Sequence, residues 1–344
     1  MHALRTLEWG AVQALLAGHC HTSYAQSEAL GLIPSFEKEA VETLIGQTRE
    51  GFELLGSHSI NLAGVKDVER DVKRAQKGGV LDGSTLHTVG TSVRSMREAK
   101  SILELHAQQF SLLWELGVQL LVESRLETRI LSSVDGDGHV GDEASRELAS
   151  IRQKVALTAK KAQERIQSYV SGRTRDLLSD SVVTTRSGRY VVPLKVENKG
   201  KIKGIVHDTS ASGSTLYIEP DDVVAIGNEL RSLEAAERAE VARILAALSS
   251  DVGKVADELI RGLQAAFELD LILAKARMGI ELGGVVPEVG EGASVRLHVA
   301  RHPLLDRKTC VPLSINLDEM DVLLITGPNT GGKTVAIKTV GLSV

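Results

Sequence analysis

Asp142 to Leu178, then Val182-Val183-Thr184-Thr185-Arg186, Tyr190-Val191-Val192-Pro193-Leu194, Ile205-Val206 and Thr215-Leu216-Tyr217-Ile218, then Asp221 to about Leu282, is the stretch that decides how this chain is built. Its first segment holds no proline and a single glycine, Gly172, with charges throughout and sparse apolar positions at Leu148, Ile151, Val155, Ile166 and Val170. That pattern predicts a helix of about 36 residues, ~54 Å long, which is a rod and not a core helix. The β-branched and aromatic runs that follow are separated by Ser187-Gly188, Asn198-Lys199-Gly200 and Ser212-Gly213, so they predict four short strands of one small sheet. Helical periodicity returns from Asp221, with a break near Ser249-Ser250-Asp251 where Asp251 or a serine can cap a new helix. Two long helical segments around one β patch predict an antiparallel hairpin with a projecting β tip.

Outward from this hairpin the chain reads as more helix. Leu4, Leu7, Val12, Leu15 and Leu16 fall near helical spacing, Pro34 marks a start, and Glu37 to Leu55 forms a second periodic run. Gly78-Gly79 and Leu81-Asp82-Gly83-Ser84 interrupt the pattern. A further helix is predicted from about Thr91 to Gly117, with Val93, Met96, Ile102, Leu103, Leu105 and Phe110 on its apolar face. After Pro287, the runs Val295 to Val299, Val311 to Ile315 and Val322 to Ile325 predict strands. Aromatic residues are only 3% of the chain, while Leu, Ala, Glu, Arg and Val abound, which favours helix over an all-β design. The expected fold class is mainly α and multidomain.

Composition bounds the function as well. The two cysteines, Cys20 and Cys310, are isolated, so neither a disulfide framework nor a zinc ribbon can be built from them, and a reducing cytoplasm fits best. No stretch approaches the ~18 apolar residues of a membrane span. The formal charge of −5 is uneven: 14 Lys/Arg stand against 5 Asp/Glu from Arg146 to Lys203, and 26 against 40 elsewhere. Such asymmetry points to a polyanion contact, or to a solvated basic helix.

Two constellations carry chemistry. Gly327-Pro328-Asn329-Thr330-Gly331-Gly332-Lys333-Thr334 matches the phosphate-cradling pattern G-x-x-x-x-G-K-[ST], behind an apolar run and ahead of Val335-Ala336-Ile337. Its glycines let backbone amides turn toward phosphate oxygens. Lys333 is suited to bridge the β and γ phosphates of ATP, and the Thr334 hydroxyl to bind Mg²⁺. Only ten residues follow Thr334, too few to supply a Walker-B acid, so the chain reads as cut off inside an ATPase domain. The second constellation is the β tip, where Arg186, Arg189, Lys195, Lys199, Lys201 and Lys203 are expected to face only one acid, Glu197. Cations on a small twisted sheet can track a phosphate backbone without reading bases, and the competing reading is a lysine-edged sheet that resists aggregation. His19-Cys20-His21 lacks the ligands of a tetrahedral metal site and reads as structural, and Asp135-Gly136-Asp137-Gly138 lacks the closing Glu of a calcium loop. Arg301-His302-Pro303 reads as a turn.

Ala300-Arg301-His302-Pro303-Leu304-Leu305, Val311-Pro312-Leu313 and Ile325-Thr326 through Thr334 closely resemble the opening of the ATPase domain of MutS-family proteins. Thr185 to Lys195 and Gly204 to Pro220 resemble the second bacterial branch of that family, the branch linked to suppression of recombination. The likeness runs from about Leu7 to Leu342. It implies an intact protein that is an ATP-hydrolysing, homodimeric clamp on branched DNA or recombination intermediates, with a C-terminal Smr nuclease domain. In some members it also implies a role, through ribosomal RNA, in splitting collided ribosomes. It places the nucleotide role on Gly327 through Thr334. The chain enters the helical core directly, without a mismatch-reading domain.

The expected organisation is a helical core over 1–135, an outward lever helix over 136–181, a small β clamp over 182–220, return lever helices over 221–285, and the truncated start of an α/β P-loop ATPase domain over 286–344. By itself this stretch is expected to be inactive, lacking Walker B and the nuclease domain. The alternative is a helical structural or dimerisation module with no intrinsic nucleic-acid binding.

Overall fold

The computed structural model describes residues 2–290, 295–318, 322–327 and 332–343. The chain is mainly α: helices α1 (His2–Thr6), α2 (Trp9–Gly18), α3 (Ser23–Gly31), α4 (Lys38–Ser57), α5 (Glu69–Gln76), α6 (Gly83–Leu105), α7 (Ser111–Gly117), α8 (Ser124–Ser133), α9 (Arg146–Ser171), α10 (Asp221–Lys254), α11 (Ala256–Glu281) and α12 (Lys333–Ser343). Strands β1 (Thr184–Arg186), β2 (Arg189–Lys195), β3 (Gly204–Thr209) and β4 (Thr215–Pro220) form one antiparallel sheet in the order β1-β2-β4-β3. A second antiparallel pair joins β5 (Arg296–Ala300) to β6 (Leu313–Asn316). Two compact units result, one of Met1–Gly78, His87–Thr128 and Asp251–Val344, the other of Gly79–Leu86 and Arg129–Ser250.

In the first unit, α11 is the central element. Ala265, Ala266, Leu269, Ile272, Leu273, Ala274 and Ala276 are all buried on it, which takes in more than one face. Small residues let neighbours approach closely: a Cβ on Gly51 of α4 would lie 3.4 Å from that of Ala276. One carboxylate ties the chain start to this helix. Asp270, fully buried, accepts hydrogen bonds from the amides of His21 and Thr22, both at 2.8 Å, and from the Thr22 hydroxyl at 3.0 Å. Arg277 Nη1 donates to its other oxygen at 3.2 Å and to the His19 carbonyl at 2.5 Å. His21 Nδ1 in turn accepts from the Leu62 amide at 3.3 Å. The His19-Cys20-His21 run is therefore a structural staple. Burial pushes the Cys20 thiol up to about 11 and, with Arg277, holds the His21 imidazole below its usual range.

In the second unit, four side-chain bridges join α9 and its capping residue Ser145 to α10 in reverse order along the two helices: Ser145 to Glu240 at 2.6 Å, Arg152 to Glu237 at 2.8 Å, Arg165 to Asp222, and Tyr169 to Asp222 at 2.8 Å. The end of α9 packs on the sheet. Ile166, Val170, Leu178, Val192, Leu194, Ile202, Leu216, Ile218 and Val223 form one buried cluster. Ser187 and Gly188, with φ of 49° and 70°, make the two-residue turn between β1 and β2, and Arg231 donates to the Ser187 carbonyl at 3.0 Å.

Several predicted boundaries are corrected. The rod is 26 residues, not 36, and it stops at Gly172, where the chain leaves the helix and Thr174 Oγ1 returns to the Tyr169 carbonyl at 2.6 Å. The break in the return helix falls at Val255, because Ser249 lies inside α10, donating to the Leu245 carbonyl at 2.7 Å and accepting the Leu81 amide at 2.8 Å. The predicted helix from Thr91 to Gly117 is two helices, and the second is capped by Glu50, whose carboxylate accepts the amides of Leu112 and Leu113 at 3.2 and 2.9 Å. The run Val322 to Ile325 is not a strand. Val322 and Leu324 are more than four-fifths exposed, and no described strand pairs with the run, so its backbone has no ladder to join.

Leu81-Asp82-Gly83-Ser84 is a helix start and not an interruption. Asp82 Oδ1 accepts the Thr85 amide at 2.8 Å and the Ser84 hydroxyl at 2.8 Å, and these bonds hold the carboxyl down at about 2. Asp82→Ala is expected to lower stability by about 1 kcal/mol at neutral pH, less if solvent screens the exposed group. Because the folded pKa lies below the ~3.9 of an unfolded aspartate, this contribution is whole above that value and is lost as pH falls toward 2. Urea midpoints of both proteins at pH 7 and pH 2.5 check the expectation: the gap narrows in acid.

Candidate functional site

The nucleotide loop is described at its two ends. Pro328, Asn329, Thr330 and Gly331 lie outside the described residues. Gly327 and Gly332 adopt φ of 141° and 80°, values that favour glycine, and α12 begins at Lys333. The amide of Ala336 makes an N-terminal α12 bond, to the Gly332 carbonyl at 2.9 Å. The amides of Lys333, Thr334 and Val335 ahead of it therefore have no acceptor within the helix, the condition for holding an anion at a helix N-terminus. Lys333 Nζ donates back to the Gly327 carbonyl at 2.6 Å, across the mouth of the loop, and Thr334 is exposed. Amides without an acceptor inside the helix, a lysine at the start of that helix and an exposed hydroxyl are groups that fit a phosphate chain with its magnesium.

The far side of α12 is anchored. Thr339 is buried and donates to the Val335 carbonyl at 2.8 Å, while Lys338 pairs with Glu8 at 2.6 Å. Glu8 stands in the left-handed region at φ 59°, at the elbow between α1 and α2. His302 is 4% exposed, and its Nδ1 accepts the Leu304 amide at 3.3 Å, so it fixes the turn after β5. Burial, with Lys338 adding and Glu8 opposing, keeps the His302 pKa below that of a free imidazole. None of this places His302 against reacting atoms.

The six cations of the β tip divide into two groups. Arg189 is a structural residue: Nη1 donates to Glu219 Oε1 at 3.2 Å and Nη2 to Asn228 at 2.7 Å, while Glu219, 1% exposed, also meets His207 Nε2 at 2.7 Å. Arg186 is 3.3 Å from Asp208 and lies over the Tyr217 ring at 4.2 Å. The expectation that these cations face Glu197 alone is thus wrong, since acids on β3 and β4 neutralise both arginines. Strand pairing brings those acids in, and no count within Arg186 to Lys203 includes them.

The lysines sit elsewhere, at and after the end of β2. Lys195 Nζ donates to the Asp176 carbonyl at 3.3 Å and Lys201 Nζ to Asn198 Oδ1 at 2.8 Å. Lys199 and Lys203 are exposed and have no side-chain partner among the described residues. Asn198, buried, pins this turn by donating to the Leu177 carbonyl at 3.1 Å, and Gly200 supplies the left-handed φ of 88°. Asp135, Asp137 and His139 converge within 4.8 Å in their exposed loop, but Asp135 Oδ1 is already taken by the amides of Asp137 and His139.

Over 343 residues the chain is 40% identical to a protein named Endonuclease MutS2 from Symbiobacterium thermophilum, a match that covers 99% of this chain and 43% of that protein. Proteins of the same name from Thermomicrobium roseum and Listeria innocua are each 38% identical, over 98% of this chain and 45% and 44% of theirs. The chain belongs to the MutS2 family over the stretch it shares with them. It spans less than half the length of these MutS2 relatives. No protein-family model matches it. Among the described residues, no helix is long and apolar enough to cross a membrane.

The division of the tip cations has a direct consequence for stability. Arg189→Met leaves the buried Glu219 without its guanidinium and is expected to destabilise the protein by roughly 3 kcal/mol. Lys199→Ala, at an exposed and unpaired side chain, is expected to change stability by less than about 0.5 kcal/mol. Chemical denaturation of the two variants compares them; similar losses would remove the distinction.

Proposed function

We propose that this chain contacts a nucleic-acid backbone through the lysines of the turn after β2, as part of a MutS-type ATPase that acts on branched DNA. The observation that carries the reading is Lys199, Lys201 and Lys203 exposed on one short turn pinned by Asn198, two of them without a partner among the described residues. Such an array holds positive charge in a fixed place, which suits phosphates and reads no sequence. Lys195, bonded to a carbonyl, stands at its margin, and Arg186 and Arg189 serve the sheet that carries it. In this reading α9, α10 and α11 are levers and the four-stranded sheet is the clamp.

In the whole protein Lys333 and the amides around Gly332 to Val335 would hold the phosphates of ATP, and the Thr334 hydroxyl would hold Mg²⁺. Bound ATP supplies a phosphoanhydride whose hydrolysis can drive clamp movement. The relatives' name supports an endonuclease activity for the whole protein. The family resemblance supports homodimerisation, suppression of recombination, an Smr nuclease domain and a ribosome-splitting role through ribosomal RNA. For the stretch in hand, the unpaired run Val322 to Ile325 argues for weak nucleotide binding. Calorimetry with magnesium ATP is expected to give little or no heat, and tight binding would contradict this.

The direct test titrates branched and linear duplex DNA at two salt concentrations with the chain and with a Lys199→Ala/Lys201→Ala/Lys203→Ala variant. Binding is expected to weaken with salt, and the variant to bind more weakly with a shallower slope, by about one unit per lost phosphate contact. Equal binding by both proteins would place the contact elsewhere. Self-association without any DNA shift would favour a helical dimerisation module.

A further inference from the structure

We propose that His58 and His106 form a two-ligand site for a divalent transition-metal ion with right-angle coordination, of the nickel or copper type. The two Nε2 atoms lie 3.0 Å apart, and both side chains are half-buried and so open to solvent on one side. Two imidazole nitrogens each ~2.0–2.1 Å from one ion stand ~2.9 Å apart at a right angle and ~3.3 Å apart at a tetrahedral angle. The observed separation matches the first geometry.

One tautomer of His58 suits this role: with the Ser57 hydroxyl donating to the Leu54 carbonyl, 3.3 Å away, its oxygen accepts the Nδ1 proton of His58 at 2.8 Å. That leaves the lone pair of His58 Nε2 facing His106, with Ser57 as the outer partner that metal-binding histidines characteristically have. Without metal, His106 Nε2–H fills the gap as a hydrogen bond. On binding, that proton moves to His106 Nδ1, so both neutral rings offer a lone pair and no net proton is released.

The surroundings favour a cation. His58 directly follows the last residue of α4, and His106 directly follows the last residue of α6. Two helix C-termini, each with the negative end of its dipole, therefore converge on the pair. Two protein ligands leave water in the remaining positions, so the class of ion is one that binds imidazole well and tolerates water ligands. Calcium and magnesium, which prefer oxygen ligands, do not suit it.

The test titrates the 344-residue chain with nickel chloride by calorimetry, alongside His58→Gln, His106→Gln and Ser57→Ala. An Asp135→Asn/His139→Gln variant controls for the exposed loop cluster. The proposal expects one strong nickel site per chain, an affinity at least about ten-fold lower in either histidine variant, a smaller loss in Ser57→Ala, and no change in the loop control. Copper(II) added to the unaltered chain should show an electron-paramagnetic spectrum with two coordinated nitrogens, a readout that needs no variant to fold. No nickel site, an affinity untouched by His58→Gln and His106→Gln, or a copper spectrum without two nitrogens would overturn it.

Discussion

Asp270 is the constraint on which the first unit depends. A carboxylate with no solvent exposure is tolerated only if its oxygens are saturated and its charge is balanced. Here the saturating groups come from the chain start: two amides and a hydroxyl of His21 and Thr22, with Arg277 supplying the balancing charge and reaching on to the His19 carbonyl. The bonds join positions almost 250 residues apart. Once they are made, Leu16, Cys20, Ala25 and Ala29 are held against Ala274 in one small apolar cluster. Burial alone would let α2 and α3 slide on α11, whereas the directional bonds to one carboxylate set their register.

The second unit solves a different problem, that of holding a small sheet at the end of a thin helical pair. Too little apolar surface is available along α9 for burial to do this alone, and the bridges to Glu240, Glu237 and Asp222 supply the alignment. Within the sheet, Glu219 is to β2, β3 and β4 what Asp270 is to α2, α3 and α11: a buried acid that consumes a nearby arginine. That internal use of charge is why the basic character of the tip narrows to the turn after β2. On α12 the same economy applies, since Lys338 is committed to Glu8 while Lys333 stays at the loop mouth.

Much of this was legible in the sequence, for physical reasons that differ by element. The four strands were visible because β-branched runs between Ser187-Gly188 and Ser212-Gly213 leave few other choices, and the long helices because proline is absent and charge is periodic. Gly172 was visible too, but a lone glycine does not say whether a helix continues; the Thr174 bond to the Tyr169 carbonyl and the packing of Ile166 and Val170 on the sheet, both set by the fold, accompany the end of α9 there. Asp82 was read as part of a break because a cap and a loop use the same residue types. Gly327 to Thr334 stood out by pattern, although its middle residues lie outside the described ones. The roles of Arg186 and Arg189 could not be read from their own segment, because their partners arrive by strand pairing. Nothing in the sequence marked His58 and His106, which become neighbours only through the ends of α4 and α6.

The central claim is that the exposed lysines of the turn after β2 are the nucleic-acid contact. Lysine acetylation followed by mass spectrometry, with and without saturating branched duplex, tests it residue by residue. The account predicts that Lys199, Lys201 and Lys203 lose reactivity when DNA is bound, while Lys38 and Lys66 in the helical unit keep theirs. Unchanged labelling at all three tip lysines, with protection elsewhere on the protein, would contradict it.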